Sequence, residues 1–314
     1  MMLFTTALIW GTSFVAQKAG MDYIGPFTFN GLRSLLGSLV LIPVILIMDA
    51  QRKKNSTKGQ IAESSVTDTS DMTGIEKSGS RKTLLIGGLS CGLMLFIGSS
   101  LQQHSMLYTT VGKVGFITAL YIVIVPILGL FIGRKVRPVL WFCVALATAG
   151  LYLLCIKEDF SIGKGDLLVI ACAFGFALHI LVIDHFSPKT DGIKLSCIQF
   201  FVCGVFSIPF MFLFETVDWS NILDCWLQIS YVGVMSCGVA YTLQILGQKY
   251  TEPTIASLIL SLESVFAVIF GILLLNEQVS GREIIGCIIM FSAFLLAQLP
   301  SKKETLARPL EQKI

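Results

Sequence analysis

The sequence is a succession of long apolar runs joined by short polar connections, and this rhythm restricts the chain more than any single motif. A helix needs about 20 apolar residues to cross ~30 Å of hydrocarbon. Ten stretches come close to that length: 2–19, 27–48, 83–106, 111–132, 138–156, 165–184, 194–215, 225–248, 254–275 and 282–299. With 54% hydrophobic and only 14% charged residues, the composition is that of an integral membrane protein. The expected fold is therefore all-α, with ten transmembrane helices in the lipid bilayer. Barrel strands do not fit, because they would be about 10 residues long and alternate strictly in polarity.

Lysine and arginine placement sets the orientation. With the N-terminus inside, seventeen of the 23 fall in inner segments and five at outer ends, and Arg33 lies within a helix. The positive-inside bias thus predicts a multi-pass protein with both termini cytoplasmic. The net charge of +3 carries no information as a total, since placement along the chain is what counts in a membrane protein, and nothing in it implies a nucleic-acid partner. Residues 49–82, rich in Ser, Thr, Lys, Asp and Gly, read as a disordered cytoplasmic linker, a regulatory segment being the alternative, and 301–314 as a cytoplasmic tail. The first run lacks a basic leader and a small-residue cleavage site, so it is expected to be the first membrane helix. Its abrupt start is compatible with further residues upstream of Met1. The nine cysteines are odd in number, form no CxxC pair and sit mostly in apolar runs, as small packing residues do.

The chain contains a repeat. At an offset of 142, Tyr108 meets Tyr250, Thr109 meets Thr251, Gly129 meets Gly271 and Gln102 meets Gln244. At an offset of 166, Pro43 meets Pro209 and Arg33 meets Gln199; the difference of 24 residues is the net excess of the linker at 49–82. Two units follow, 1–157 and 158–300. Five helices is an odd number, so the second unit enters the membrane from the opposite side, a five-plus-five inverted repeat of the kind that supports alternating access.

The stretches WGTSFVAQK and GPFTFNGLR, then LYTTVGKVGFITALYIVIVPILG, then LESVFAVIFGILLLNEQVSGREIIG, resemble the drug/metabolite transporter superfamily, specifically EamA-family permeases. The likeness covers nearly everything outside 49–82 and the tail. It implies ten helices, a cavity between the halves and, usually, export of amino acids, other metabolites or drugs. One departure concerns NEQVSGRE, where Glu277 stands in the second half and Arg134 in the first, so any role for that acid belongs to one half only.

Polar residues inside apolar runs are the candidate site. A charge at the centre of a membrane helix costs about 2.5–3.5 kcal/mol on insertion scales, so Glu263 is expected to face protein or a wet cavity, as a structural acid or as a group that binds solute or a coupling proton. Arg33 is its expected partner, directly or through water or a solute: their Cα depths differ by roughly 7–8 Å. Outward snorkelling competes for Arg33. Lys113, like Lys18, falls near an outer helix end, where it either attracts a carboxylate-bearing solute or anchors the interface. Trp10 offers a flat cavity wall or ordinary packing. Gln102, Gln199 and Gln244 either line the cavity or bond helix to helix. His104 and His179 have no metal-ligand spacing and read as interior residues. Gly88 with Gly92, and Gly129 with Gly133, suit close helix contact, and Pro126 is expected to kink the fourth crossing.

No cofactor or metal is expected, and no HExxH or GxSxG points to a membrane enzyme. The expected function is secondary transport of a small organic solute, outward by family resemblance. A channel or a sensor is the alternative, and saturating flux separates transport from a channel.

Overall fold

A computed structural model describes residues 1–62, 72–109, 111–155, 163–275 and 280–297. Among these there is no strand. The helices are α1 (Met2–Gly20), α2 (Pro26–Ala62), α3 (Met72–Ser105), α4 (Val111–Ala119), α5 (Tyr121–Phe131), α6 (Pro138–Cys155), α7 (Lys164–Phe186), α8 (Gly192–Phe214), α9 (Trp219–Asp224), α10 (Trp226–Tyr231), a π-helical stretch Val232–Ala240, α11 (Tyr241–Gln248), α12 (Pro253–Leu260), α13 (Glu263–Leu275) and α14 (Gly281–Ala297). Seven segments of the described residues are long and apolar enough to cross a membrane: Pro26–Arg52, Arg81–Ser105, Val114–Phe131, Lys164–Lys189, Gly192–Phe214, Trp226–Gln248 and Pro253–Phe270.

The surface is inside out relative to a water-soluble protein. Leu39, Leu46, Ile47, Phe131, Phe212 and Leu213 are exposed, while Asn30, Arg33, Gln103, His179, Gln199 and Glu263 are buried. Lipid rewards this arrangement, because tails solvate leucine and cannot solvate an amide.

Helix starts follow local chemistry. Pro26 and Pro253 open α2 and α12, where a missing N–H is harmless. Asp191 caps α8, accepting from the backbone N–H groups of Ile193 and Lys194 at 3.1 and 3.3 Å. Asp166 reaches back to the Gly163 N–H at 2.9 Å to open α7.

The expected linker at 49–82 is helical in its described parts, because α2 runs on to Ala62 and α3 begins at Met72. The Asp-Ala-Gln-Arg-Lys-Lys run after the apolar stretch contains good helix formers and no Gly or Pro, so nothing stops the helix at the membrane boundary. Residues 63–71 and the tail 298–314 lie outside the described residues.

Packing is dominated by antiparallel pairs. Along α2 and α8, Thr28 meets Glu215, Gly31 meets Ser207, Leu35 meets Gly204, Ser38 meets Cys197 and Asp49 meets Lys194, the numbers running in opposite directions. Helix α6 lies against α14 in the same way, with Gly150 on Met290 and Tyr152 under Arg282. Gly88 and Gly92 let α3 approach α8: a Cβ on them would come within 2.3 Å of Ile198 and 2.6 Å of Val202. Gly133 does otherwise. With φ +78° and no atom within 4 Å of a built Cβ, it ends α5 in the left-handed conformation and makes no helix contact.

Three crossings are interrupted. The fourth is broken at Leu120, before Tyr121 opens α5, and not at Pro126, which lies inside α5. The stretch 254–275 is broken at Ser261 and Leu262, before Glu263 opens α13. Between α10 and α11, Val232–Ala240 winds as a π-helix, a geometry that recurs at functional sites.

Candidate functional site

The interruptions surround one cavity. Its water-accessible volume is about 30 Å³, room for a water or two, and it lies between α1, α2, α3, α4, α5, α7, the π-helical stretch, α11, α12 and α13. The charged groups on its wall are Arg33 and Glu263, 6% and 3% exposed. Uncharged polar lining comes from Gln17, Gln102, Thr118, His179, Ser236 and Gln244, and the aromatic wall from Trp10, Phe14, Tyr121, Phe176 and Tyr241.

Arg33 is held rigidly on its own side. The Asn30 Oδ1, one helical turn back, accepts from its Nε at 3.1 Å and its Nη2 at 2.9 Å, and the Gln17 Oε1 accepts from Nη1 at 2.6 Å. Asn30 is itself fixed across the bundle, donating from Nδ2 to Ser100 Oγ at 3.2 Å and Ser207 Oγ at 3.3 Å. The Phe29 ring lies 5.7 Å from the guanidinium carbon. Three of five N–H groups are thereby used, and among the described residues no carboxylate pairs with this cation.

Glu263 opens α13, where the free N–H groups and the helix dipole suit a carboxylate. Its Oε1 accepts from the Tyr121 hydroxyl at 3.1 Å, and among the described residues no cation pairs with it. Of the ways Arg33 and Glu263 were expected to meet, directly or through water or a solute, the direct contact is not made among the described residues. The two line the same cavity, each with a neutral partner, because Asn30 and Gln17 draw the guanidinium to the α1–α2 side.

Five sequence candidates, Trp10, Arg33, Gln102, Gln244 and Glu263, line the cavity. Gln199 is fully buried one bond behind it, its Oε1 3.0 Å from His179 Nε2. The side chain of Lys113, and Glu277, lie outside the described residues. Lys18 donates to the Met106 carbonyl, tying α1 to the end of α3. Sequence reasoning missed Gln17, Asn30, Tyr121 and Tyr241, and took His179 for a satisfied interior residue. Two had a signal: Asn30 stands at i−3 from Arg33, and Tyr121 is 142 residues before Glu263, the offset that aligns the two stretches.

Long apolar helices, several of them interrupted around a buried polar cavity, define a multi-pass α-helical membrane protein. The chain belongs to the EamA-like transporter family, whose model matches residues 1–156 and 163–298. It is 29% identical over 302 residues to an uncharacterized transporter of Archaeoglobus fulgidus, covering 93% of this chain and 83% of that protein. It is 24% identical over 296 residues to the uncharacterized transporter YoaV of Bacillus subtilis, 92% of each chain. A solved crystal structure superimposes with a TM-score of 0.71 at 18% identity, covering 99% of this chain and 97% of that one, a likeness of fold.

Proposed function

We propose that this protein carries a small zwitterionic metabolite of the amino-acid type across the cell membrane by alternating access, outward, and performs no chemistry on it. One observation carries the reading: a buried cation and a buried acid line a single cavity without pairing with each other. A solute with a carboxylate and an ammonium group supplies Arg33 and Glu263 with the opposite charges they lack, and without it each charge is expensive in the bilayer. Glu263, paired only with a hydroxyl, is also the group on which a proton would exchange with solute.

The proposal includes ten crossings, made of the seven long apolar segments, the shorter apolar helices Pro138–Leu153 and Ile284–Ala297, and α1. It takes 1–157 and 158–300 as units of opposite direction, with termini and the 49–82 segment on the cytoplasmic side. Support comes from the antiparallel pairing of α2 with α8 and of α6 with α14, and from helix breaks 142 residues apart, before Tyr121 and before Glu263. A cavity of about 30 Å³ is too small for an amino acid, so entry requires the halves to part on one side at a time.

Counterflow in proteoliposomes tests this. Uptake of a labelled amino acid is expected to saturate, and Arg33→Ala and Glu263→Gln are expected to abolish it while both variants still express and fold. Unchanged uptake in both variants, or flux that rises linearly with solute, refutes it.

A further inference from the structure

Three polar atoms on the cavity's lining side chains have no hydrogen-bond partner among the described residues: Trp10 Nε1, His179 Nδ1 and Gln244 Oε1. An unpaired buried polar atom is expensive, at about 1–3 kcal/mol, so three on one small cavity point to a ligand group or water that pairs them. They belong together in space. The Trp10 ring lies tilted against Tyr241 with centroids 4.5 Å apart, the His179 ring meets the same Tyr241 edge-on at 6.0 Å, and Gln244 follows Tyr241 by one helical turn.

We infer that Trp10, His179 and Gln244 form a side-chain pocket for the solute, one that selects an uncharged carboxamide over a hydrocarbon group of the same shape. This rests on the zwitterion reading above, in which Arg33 and Glu263 take the charged end.

The donor and acceptor count carries the choice. Gln199 Oε1 accepts from His179 Nε2, which leaves Nδ1 of the singly protonated ring as an acceptor. Gln244 Oε1 is a second acceptor, and the Trp10 indole N–H is a donor. Two acceptors and one donor complement the two N–H groups and one carbonyl of a primary amide. A leucine-like group in the same space leaves all three unpaired, and sites built to hydrogen-bond their ligand reject the apolar isostere strongly. Gln199, held behind the ring, acts as a positioning residue for His179, which is 0% exposed.

The test compares L-asparagine with L-leucine, whose side chains match in shape, by equilibrium binding to the full-length protein in detergent. Wild type is expected to bind asparagine at least tenfold more tightly. His179→Phe and Gln244→Leu are expected to bring the ratio toward one by weakening asparagine alone, so that retained leucine binding reports an intact fold. Leucine bound as tightly as asparagine by wild type overturns the inference, assigns these atoms to bound water and leaves the zwitterion reading in place. Binding of neither amino acid overturns both.

Discussion

The Tyr121 hydroxyl donates to Glu263 Oε1 at 3.1 Å, and each of these residues opens the second piece of an interrupted helix. They stand 142 residues apart, the offset at which the two stretches align, so a bond between them joins equivalent positions. The bond ties α5 to α13 at the wall of the cavity that both residues line.

Tyr121→Phe therefore strips the buried acid of its partner and is expected to destabilise the protein by about 1–3 kcal/mol. Glu263→Gln keeps an acceptor for the Tyr121 hydroxyl and is expected to cost less. Thermal unfolding in detergent distinguishes them, and the reverse order of stability would show that the bond does not hold this junction.

Glu215 fastens the start of α2 to the end of α8. Its carboxylate accepts from the Phe27 N–H at 2.6 Å, the Thr28 N–H at 2.8 Å and the Thr28 hydroxyl at 2.7 Å. Capping interactions of this kind are worth about 0.5–2 kcal/mol. Glu215→Ala is expected to lower stability by roughly that amount, and Thr28→Ala by less, since its N–H remains. Equal stability of wild type and Glu215→Ala in a denaturation series would contradict the cap.

At the opposite end, Asp191 caps α8 and pairs with Arg52 at 2.8 Å. Burial pushes its carboxyl up, but the Arg52 guanidinium and the Lys194 and Ile193 amides outweigh this and hold it below the ordinary carboxylate value. A depressed native pKa stabilises the fold above the unfolded-state pKa, about 3.9, and the gain is lost as pH falls through the native value. Unfolding temperature is thus expected to fall below about pH 4 more steeply in wild type than in Asp191→Asn. Parallel curves for the two proteins would contradict this.

Gly92 and Gly281 make a matched pair. A Cβ on Gly92 would stand 2.6 Å from Val202 Cβ and 2.8 Å from the Gln199 carbonyl oxygen, so Gly92→Ala forces α3 and α8 apart and is expected to cost about 1–3 kcal/mol. Gly281 has nothing within 4 Å, and Gly281→Ala is expected to be neutral within about 0.5 kcal/mol. Similar melting of both variants would contradict the close approach.

Length and polarity made the apolar spans legible, and the cost of charge in lipid singled out Arg33 and Glu263. The helix breaks were not legible, because Leu120 and Ser261 are ordinary helix residues and the visible breaker, Pro126, lies six residues further on. Pairing was lost for a related reason. Opposite charge suggested that Arg33 and Glu263 meet, directly or through water or a solute, whereas Asn30 on the same helix and Gln17 from α1 take up the guanidinium, the second through a bond that only tertiary packing reveals. His179 was dismissed for lack of metal-ligand spacing, and only its orphaned Nδ1 shows that its environment is incomplete.

The central claim, that Arg33 and Glu263 receive the two charges of one solute, is tested most directly by crossing protein variants with trimmed ligands in a binding assay. Arg33→Gln is expected to weaken an amino acid at least tenfold and its decarboxylated amine hardly at all, while Glu263→Gln spares the deaminated acid in the same way. Equal losses for the amino acid and both trimmed ligands in each variant would contradict the account.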